Sequence, residues 1–173
     1  MVMIDLITGF LGSGKTTFLK KYAEYLMDQG LHIGILENDF GAINVDMLML
    51  HELRGDQCEL EMIAGGCDAE SHRRRFRTKL ISMRMCGYDR VLVEPSGIYD
   101  VDEFFDVLRE EPLDQWYEIG NVIAILDARL ENNLSQQADY LMASEAANAG
   151  KVILSHADAA TREQCEDTVA HLN

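Results

Sequence analysis

Residues 5–22, DLITGFLGSGKTTFLKKY, decide the fold of this chain. They contain Gly9, four further residues and then Gly14-Lys15-Thr16, which is the spacing G-x-x-x-x-G-K-[ST] of a loop that binds nucleotide phosphates. The apolar run 2–8 predicts a buried strand before the loop, and apolar residues at helical spacing predict a helix that ends at Gly30. A strand, a glycine loop and a helix in this order favour a phosphate site over a simple glycine turn at a helix start.

The loop supplies the chemistry that a nucleoside triphosphate requires. Glycines let backbone N–H groups approach the phosphates, and the helix N-terminus adds positive potential. We expect Lys15 to reach the β and γ phosphates and to stabilise charge in the transition state, and the Thr16 hydroxyl to bind Mg²⁺. The candidate phosphate-binding residues are Gly12, Ser13, Gly14, Lys15, Thr16 and Thr17.

Beyond the loop, short apolar runs alternate with longer amphipathic segments. This order predicts a doubly wound α/β fold, in which a mostly parallel sheet has helices on both faces. A length of 173 residues is enough for one buried core, so we expect one domain over 1–173. The further strands are predicted at 31–37, 58–63, 89–95, 119–128 and 151–157, the further helices at 68–85, 101–110, 134–150 and 160–172, and a loop at 38–46.

Charge and composition exclude several classes of function. The chain has 15 Lys and Arg against 30 Asp and Glu, a net charge of -15, which argues against a nucleic-acid or anionic-membrane surface. No run of eighteen apolar residues predicts a membrane span, and the apolar start runs into the loop without a basic leader. Four cysteines without C-x-x-C spacing favour reduced thiols in the cytoplasm.

A second candidate site residue follows another predicted strand. The stretch VLVEPSG places Glu94 at the strand end, where P-loop enzymes hold Mg²⁺ or its water with an acidic group. The alternative is a glutamate at a strand end that only contacts water. Aspartate is the commoner residue at this place in GTPases, so the glutamate is informative.

Four motifs together resemble one family. The stretches TGFLGSGKTT at 8–17, ENDFG at 37–41, GGC at 65–67 and EPSG at 94–97 resemble the CobW-type metallochaperone GTPases, relatives of UreG and HypB. The resemblance implies a SIMIBI-class P-loop GTPase that couples GTP binding and slow hydrolysis to metal-cofactor assembly or metal delivery. It also implies Mg²⁺, Zn²⁺ or Co²⁺ as metals, a metalloprotein client and a nucleotide-dependent homodimer.

The resemblance assigns two further positions. Glu94 matches the glutamate of the E-x-x-G motif, and 37–46 matches the first switch. Asp39 stands at the acidic position of E-N-[ED]-F-G, which implies a contact with the switch or with Mg²⁺. The alternative is that Asp39 only caps or solvates the loop.

The metal motif departs from the family pattern. Members typically carry C-x-C-C after the glycines, whereas this chain reads C-D-A-E at 67–70, so only Cys67 remains. A transition-metal site assembled from Cys67 with Glu70, His72 or Glu37 is chemically reasonable for Zn²⁺. The alternative is that Cys67 is a small buried residue at a turn and His72 lies on a helix surface.

The base-binding motif is altered as well. Guanine selectivity usually comes from N-K-x-D after an apolar strand, and this chain has VILSHAD at 152–158. Asp158 keeps the acceptor for guanine N1–H and its amine, while Ser155 and His156 replace Asn and Lys. We expect the flat imidazole of His156 to take the place of the lysine stem against the base, and GTP to be preferred over ATP. The alternative role for Asp158 is to cap the last helix.

Other readings stay open. Arg73, Arg74, Arg75 and Arg77 form either a docking face for an acidic client or a solvated helix face with i,i+4 ion pairs. An ATP-dependent small-molecule kinase and a nucleotide-binding regulatory module without hydrolysis are the rival functions. CobW-type proteins usually continue into a last sheet strand and a C-terminal domain, so we expect 1–173 to be the GTPase domain without that further domain.

Overall fold

The computed structural model describes residues 1–10, 12–39, 45–64, 69–95, 101–129 and 136–171. Its centre is a parallel sheet of six strands in the order β3-β2-β4-β1-β5-β6, which confirms the doubly wound α/β fold. The strands are β1 Val2–Thr8, β2 Ile33–Asp39, β3 Cys58–Ala64, β4 Arg90–Glu94, β5 Tyr117–Asp127 and β6 Lys151–Ser155. The helices are α1 Lys15–Asp28, α2 Val45–Leu50, α3 Ala69–Arg84, α4 Val101–Leu108, α5 Leu113–Trp116, α6 Gln136–Asn148 and α7 Arg162–His171.

Two short α-helices were not predicted from the sequence. α2 begins within the segment 38–46 that was predicted as a loop, since its residues VDMLML are mostly good helix formers that outweigh the polar residues before them. α5 is a single turn after Pro112, a residue that tolerates the start of a helix. No helix within the described ranges has both the length and the apolar composition needed to cross a bilayer.

Both faces of the sheet are covered, because the central strands are apolar on each side. In β4, Val91 and Val93 pack into the core layer formed with α3 and α4, whereas Leu92 packs into the layer formed with α1. Leu50 of α2 is fully buried in the second layer, and Leu48 is exposed. A continuous apolar strand between two helical layers is the arrangement expected of a parallel sheet.

A buried polar cluster interrupts the first strand. The Asp5 carboxylate is fully buried, accepts hydrogen bonds from the Tyr22 hydroxyl at 2.8 Å and the Asn121 backbone N–H at 2.7 Å, and lies 2.9 Å from Arg90 Nε. The pairing of β1 with β5 shifts register at this point. Burial and the bond to Asp5 raise the pKa of Tyr22 to about 12. The carboxylate therefore ties β1 to β4, β5 and α1.

The cysteines that the structure describes are free thiols. Cys58 is buried, Cys165 is partly buried and Cys86 is exposed. Burial raises the pKa of the Cys58 thiol to about 11, which makes it a poor nucleophile.

Candidate nucleotide site

The glycine loop lies at the carboxyl edge of the sheet, between β1 and α1. β1 is an inner strand with β4 on one side and β5 on the other, so the residues that follow these three strands converge on the loop. Gly14 is the N-cap of α1, and the first helical turn, KTTF, carries no acidic side chain. The positive end of the helix is therefore not neutralised by its own side chains and favours an anion.

Lys15 folds back over the loop. Its side chain is only 6% exposed, and Nζ donates hydrogen bonds to the carbonyl oxygens of Gly9 at 2.8 Å and Phe10 at 3.0 Å. Ser13 is buried beside it, with its N–H bonded to the Phe10 carbonyl at 3.1 Å, and Thr17 is exposed on the first turn. The ammonium thus lies at the centre of the loop, within reach of a phosphate bound there.

Thr16 and Glu94 are brought together, as expected from neighbouring strand ends. The Thr16 hydroxyl donates to Glu94 Oε1 at 2.9 Å, and Glu94 is 3% exposed at the end of β4. Glu37 on β2 is the register partner of Glu94 and is also buried. A hydroxyl and a buried carboxylate are oxygen ligands of the kind Mg²⁺ prefers, and a cation would relieve the repulsion between neighbouring carboxylates. The donor set therefore fits Mg²⁺.

Asp39 is the last residue of β2, two positions beyond Glu37 and at the same edge of the sheet. Its side chain lies outside the described part of the structure, so its assignment to the switch or to Mg²⁺ stays a prediction.

A buried carboxyl behind the loop was missed in the sequence. Glu145 of α6 is 4% exposed, and its Oε1 accepts a hydrogen bond from the Thr8 hydroxyl at 2.9 Å. Oε2 has no hydrogen-bond partner among the described residues. Burial raises the pKa of Glu145, while the Thr8 hydrogen bond and the positive charge of Lys15 oppose that rise. Glu145 belongs to no motif, and only the packing of α6 on the sheet brings it to the loop.

The candidate base-binding residues lie beside the same loop. β6 ends at Ser155, and His156 follows with a left-handed φ of 54°. The His156 Nδ1 atom lies 3.2 Å from Ser155 Oγ. A Cβ atom placed on Gly14 would lie 3.5 Å from Ser155 Cβ and 3.9 Å from His156 Cε1. The loop and the altered N-K-x-D segment are therefore in contact.

An ion pair from β5 supports this segment. Asp127 Oδ2 lies 3.1 Å from His156 Nδ1, and the Arg129 guanidinium bonds both carboxylate oxygens of Asp127 at 3.0 and 2.9 Å. These Arg129 bonds hold the pKa of Asp127 below its usual range. The hydrogen bond to Asp127 is the main cause of a raised pKa of Arg129, and the nearby charge of Asp158 adds to it. Asp158 itself is exposed, so its carboxylate is accessible to a ligand.

The alternative that Asp158 caps the last helix is wrong. Thr161 caps α7, since its Oγ1 accepts the Gln164 N–H at 3.1 Å and its own N–H donates to Gln164 Oε1 at 2.8 Å. This reciprocal pair is a capping box, which needs no help from a residue three positions earlier.

The candidate transition-metal residues are only partly brought together. Cys67 lies outside the described residues, so its assignment stays a prediction. Glu70 is exposed on α3. The alternative that His72 lies on a helix surface is wrong, because α4 covers that face and Glu103 Oε1 lies 2.7 Å from His72 Nδ1. Within the described ranges, no group of three or more His, Cys, Asp and Glu is disposed to hold a metal.

The arginine cluster of α3 divides between two faces. Arg73 and Arg77 lie 2.6 and 3.1 Å from the two carboxylate oxygens of Glu110, which follows α4. These ion pairs run between elements rather than along the helix as i,i+4 pairs. Arg74 and Arg75 are exposed on another face.

Comparison with known proteins agrees with the fold and with the motifs. The family described as "CobW/HypB/UreG, nucleotide-binding domain" matches residues 3–173. The chain is 29% identical over 185 residues to the zinc chaperone YjiA of Escherichia coli, a match that covers 99% of this chain and 55% of the relative. It is 28% identical over 164 residues to the zinc chaperone YeiR of Escherichia coli, covering 94% and 49%. The chain therefore spans about half the length of these relatives.

Solved structures support the fold alone. Zn(II)-bound YjiA GTPase from E. coli superposes with a TM-score of 0.61 at 21% identity, covering 99% of this chain and 54% of that one. The signal recognition particle receptor FtsY from Elizabethkingia anophelis in complex with GDP gives a TM-score of 0.69 at 17% identity, covering 100% and 55%.

Proposed function

The chain belongs to the CobW/HypB/UreG family of nucleotide-binding domains, and from this we propose that it is a GTP-controlled switch for metal delivery. In this proposal it binds GTP with Mg²⁺, hydrolyses it slowly and passes a transition metal, with zinc the first candidate, to a client metalloprotein. Relatives named as zinc chaperones support the choice of metal.

The GTP-binding part of this proposal rests mainly on the contact of Thr16 with Glu94 beside the Lys15 ammonium. Lys15 and the loop amides bind the phosphates, and Lys15 stabilises charge that develops during transfer to water. Thr16 and Glu94 hold Mg²⁺ or order its water, and Mg²⁺ supplies a Lewis acid on the phosphate oxygens. All three side chains are almost fully buried, so they are held in place before the nucleotide arrives.

The base preference rests on the accessible carboxylate beside the loop. Asp158 accepts hydrogen bonds from guanine N1–H and the exocyclic amine, and adenine offers no matching pair of donors. The Asp127–Arg129 ion pair positions His156 next to the loop, and we assign its ring to pack against the base. Since Thr161 caps α7, the Asp158 carboxylate is not engaged in that structural role.

The layout of the same edge of the sheet supports the proposed metal delivery. β2 carries Glu37 and ends at Asp39, and β4 beside it carries Glu94. A γ phosphate and Mg²⁺ at Glu94 would change the electrostatic field at Glu37, and hydrolysis would remove that change. We assign Glu37 and Cys67 as the ligands of the transported zinc, with solvent or client groups completing the coordination.

The nucleotide part is tested by equilibrium titration with fluorescent GTP and ATP analogues, with and without Mg²⁺. Wild type should prefer GTP. Asp158→Asn should weaken GTP binding about 30-fold, because asparagine keeps one acceptor oxygen and loses the other, and one hydrogen bond to a charged group contributes roughly 2 kcal/mol. Asp167→Asn is the matched control, because it removes an equally exposed charge from α7. Preference for ATP would support the small-molecule kinase, and binding without any turnover would support the regulatory module.

The metal part is tested separately by zinc titration against a competing chelator dye. Zinc affinity should change between the GTP-bound and GDP-bound states and should fall in Cys67→Ala. Cys86→Ala is the control, because Cys86 is an exposed thiol at the far end of α3. Equal loss of affinity in both variants would contradict the assignment of Cys67.

A further inference from the structure

Glu145 is a buried carboxyl behind the phosphate loop that the proposed GTP chemistry does not use. It belongs to α6, is 4% exposed, and accepts a hydrogen bond from the Thr8 hydroxyl at Oε1 at 2.9 Å. Oε2 has no hydrogen-bond partner among the residues that the structure describes. A buried carboxylate oxygen without a donor is unfavourable, because neither water nor protein solvates its charge. A neutral side chain would anchor α6 to β1 without this disadvantage.

A short chain of contacts connects Glu145 with Lys15. Thr8, which bonds Glu145, is 1% exposed and is the last residue of β1. Gly9 follows it directly, and the Gly9 carbonyl oxygen accepts a hydrogen bond from Lys15 Nζ at 2.8 Å. Gly9 also packs so closely on β5 that a Cβ atom there would overlap the carbonyl oxygen of Ile125. The position of the Thr8 side chain therefore bears directly on the carbonyl that holds the ammonium.

Glu145 and Lys15 also interact through their charges. Burial is the main cause of the raised pKa of Glu145, and the Thr8 hydrogen bond and the charge of Lys15 act against it. In the empty loop, Lys15 therefore stabilises the ionised carboxyl. A bound triphosphate surrounds the same ammonium with negative charge and removes that stabilisation.

The charged residues of the elements that α6 packs against act elsewhere. These elements are β5 and α4. The buried residues of α4 are all apolar, and so are residues 122–126 of β5. The charged residues of the two elements are exposed or paired with other groups: Asp102, Asp106 and Glu118 are exposed, Glu103 pairs with His72, and Asp127 pairs with Arg129 and His156. Within the described part of the chain, Lys15 is thus the charged residue that acts on Glu145.

We propose that Glu145 positions Lys15 in the empty loop and takes up a proton when a nucleoside triphosphate binds. Without nucleotide, the ionised carboxyl attracts the ammonium and, through Thr8, holds the Gly9 carbonyl that binds it. A triphosphate keeps a net negative charge even with Mg²⁺ bound, and this charge repels the carboxylate strongly in a buried site. A proton from solvent then binds Oε2, the neutral acid keeps its bond to Thr8, and Lys15 is released to the phosphates. Nucleotide dissociation returns the proton to solvent.

This inference rests on the proposed nucleotide site and adds a positioning residue to it. A carboxyl that only anchors α6 would keep one protonation state, so GTP binding would exchange no proton at Glu145. In the proposal, GTP affinity falls as pH rises from the pKa of Glu145 in the free protein through its higher pKa in the nucleotide complex. Linkage limits this fall to about tenfold per pH unit for one proton.

The test is calorimetric titration of GTP with Mg²⁺ in buffers of different ionisation enthalpy, which gives the number of protons exchanged. It runs from about pH 5 to about pH 8, the range in which a carboxyl of raised pKa titrates. Wild type should take up protons, and Glu145→Gln should lose that uptake, because the amide still accepts the Thr8 bond and cannot titrate. Glu24→Gln is the matched control, an exposed carboxyl on α1 whose loss should leave the uptake unchanged. The titration of GTP itself is common to all samples and cancels in the comparison.

Thr8→Val tests the connection through the strand end. The valine has nearly the same shape but lacks the hydroxyl that stabilises the ionised carboxyl, so the pH of maximal proton uptake should move upward. GTP affinity should fall as well, because the Gly9 carbonyl is less firmly held. Circular dichroism on each variant verifies that the fold is intact. An unchanged pH of maximal uptake would contradict the role of Thr8 and, with it, the proposed positioning.

The outcomes separate this inference from the proposed function. GTP binding with equal proton uptake in wild type and Glu145→Gln, or with uptake lost equally in Glu24→Gln, would overturn the inference and leave the proposed function intact. Preference for ATP with uptake that depends on Glu145 would retain the inference and contradict the GTP assignment. Failure to bind either nucleotide would overturn both.

Discussion

Replacing Gly9 by alanine should destabilise the fold and displace the phosphate loop together. Gly9 has a φ of 141°, which alanine rarely adopts, and a Cβ atom there would overlap the backbone carbonyl oxygen of Ile125 and lie 2.9 Å from Ser13 Oγ. Ile125 is buried in β5 and is a register partner of Ile153 in β6, so its carbonyl cannot move aside easily. Overpacking contributes about 1–3 kcal/mol and the backbone strain a further 1–3 kcal/mol. We expect a total loss of about 2–6 kcal/mol.

Gly12→Ala is the matched control for this substitution. Gly12 also has a positive φ, of 77°, but a Cβ atom on it would meet nothing within 4 Å. Alanine there should lower the free energy of unfolding by only about 1–2 kcal/mol, the left-handed backbone penalty. Urea unfolding followed by circular dichroism measures both variants. Equal losses would refute the argument, because they would show that the contact with β5 does not limit the loop.

Three further predictions concern buried polar groups. Burial raises the pKa of Glu145, so the neutral acid is favoured in the folded protein, and stability is lost as pH rises from the pKa of Glu145 in the unfolded chain through its pKa in the folded protein. Glu145→Gln should lose less stability than wild type over that pH range, as measured by urea unfolding midpoints. Parallel pH profiles for the two proteins would contradict this. Asp5→Asn breaks a buried ion pair and should lower the free energy of unfolding by about 3–5 kcal/mol. In this variant the pKa of Tyr22, now about 12, should fall but stay elevated because the hydroxyl is still buried. An unchanged titration of Tyr22 would contradict its contact with Asp5. Thr16→Ala should weaken GTP binding in Mg²⁺ and leave the weaker binding in a chelator unchanged, and equal weakening in both conditions would contradict a Mg²⁺ role.

The phosphate loop and the fold were predictable because local patterns carry them. The spacing of Gly9, Gly14 and Lys15 between an apolar strand and an amphipathic helix is compatible with few structures other than a phosphate-binding loop. The contact of Thr16 with Glu94 followed from the same logic, since residues after neighbouring parallel strands meet at one edge of the sheet.

Long-range packing decided the features that the sequence did not reveal. Glu145 reaches Thr8 across 137 positions of sequence, and no local pattern relates α6 to the end of β1. The local sequence suggested a surface position for His72, because the burial of His72 depends on α4, which supplies Glu103. The pairing of Arg73 and Arg77 with Glu110 likewise depends on the packing of α3 against the segment after α4.

The central claim, that Asp158 reads guanine in a GTP-binding site, is tested most directly by exchanging the base. Xanthine carries a carbonyl where guanine carries its exocyclic amine, so an asparagine amide at 158 would donate to xanthine where the aspartate accepted from guanine. Binding of GTP and xanthosine triphosphate should be measured for wild type and Asp158→Asn. We predict that the variant loses GTP and gains xanthosine triphosphate, a gain that damage to the fold cannot produce. Loss of both nucleotides, or no change in either, would contradict the claim.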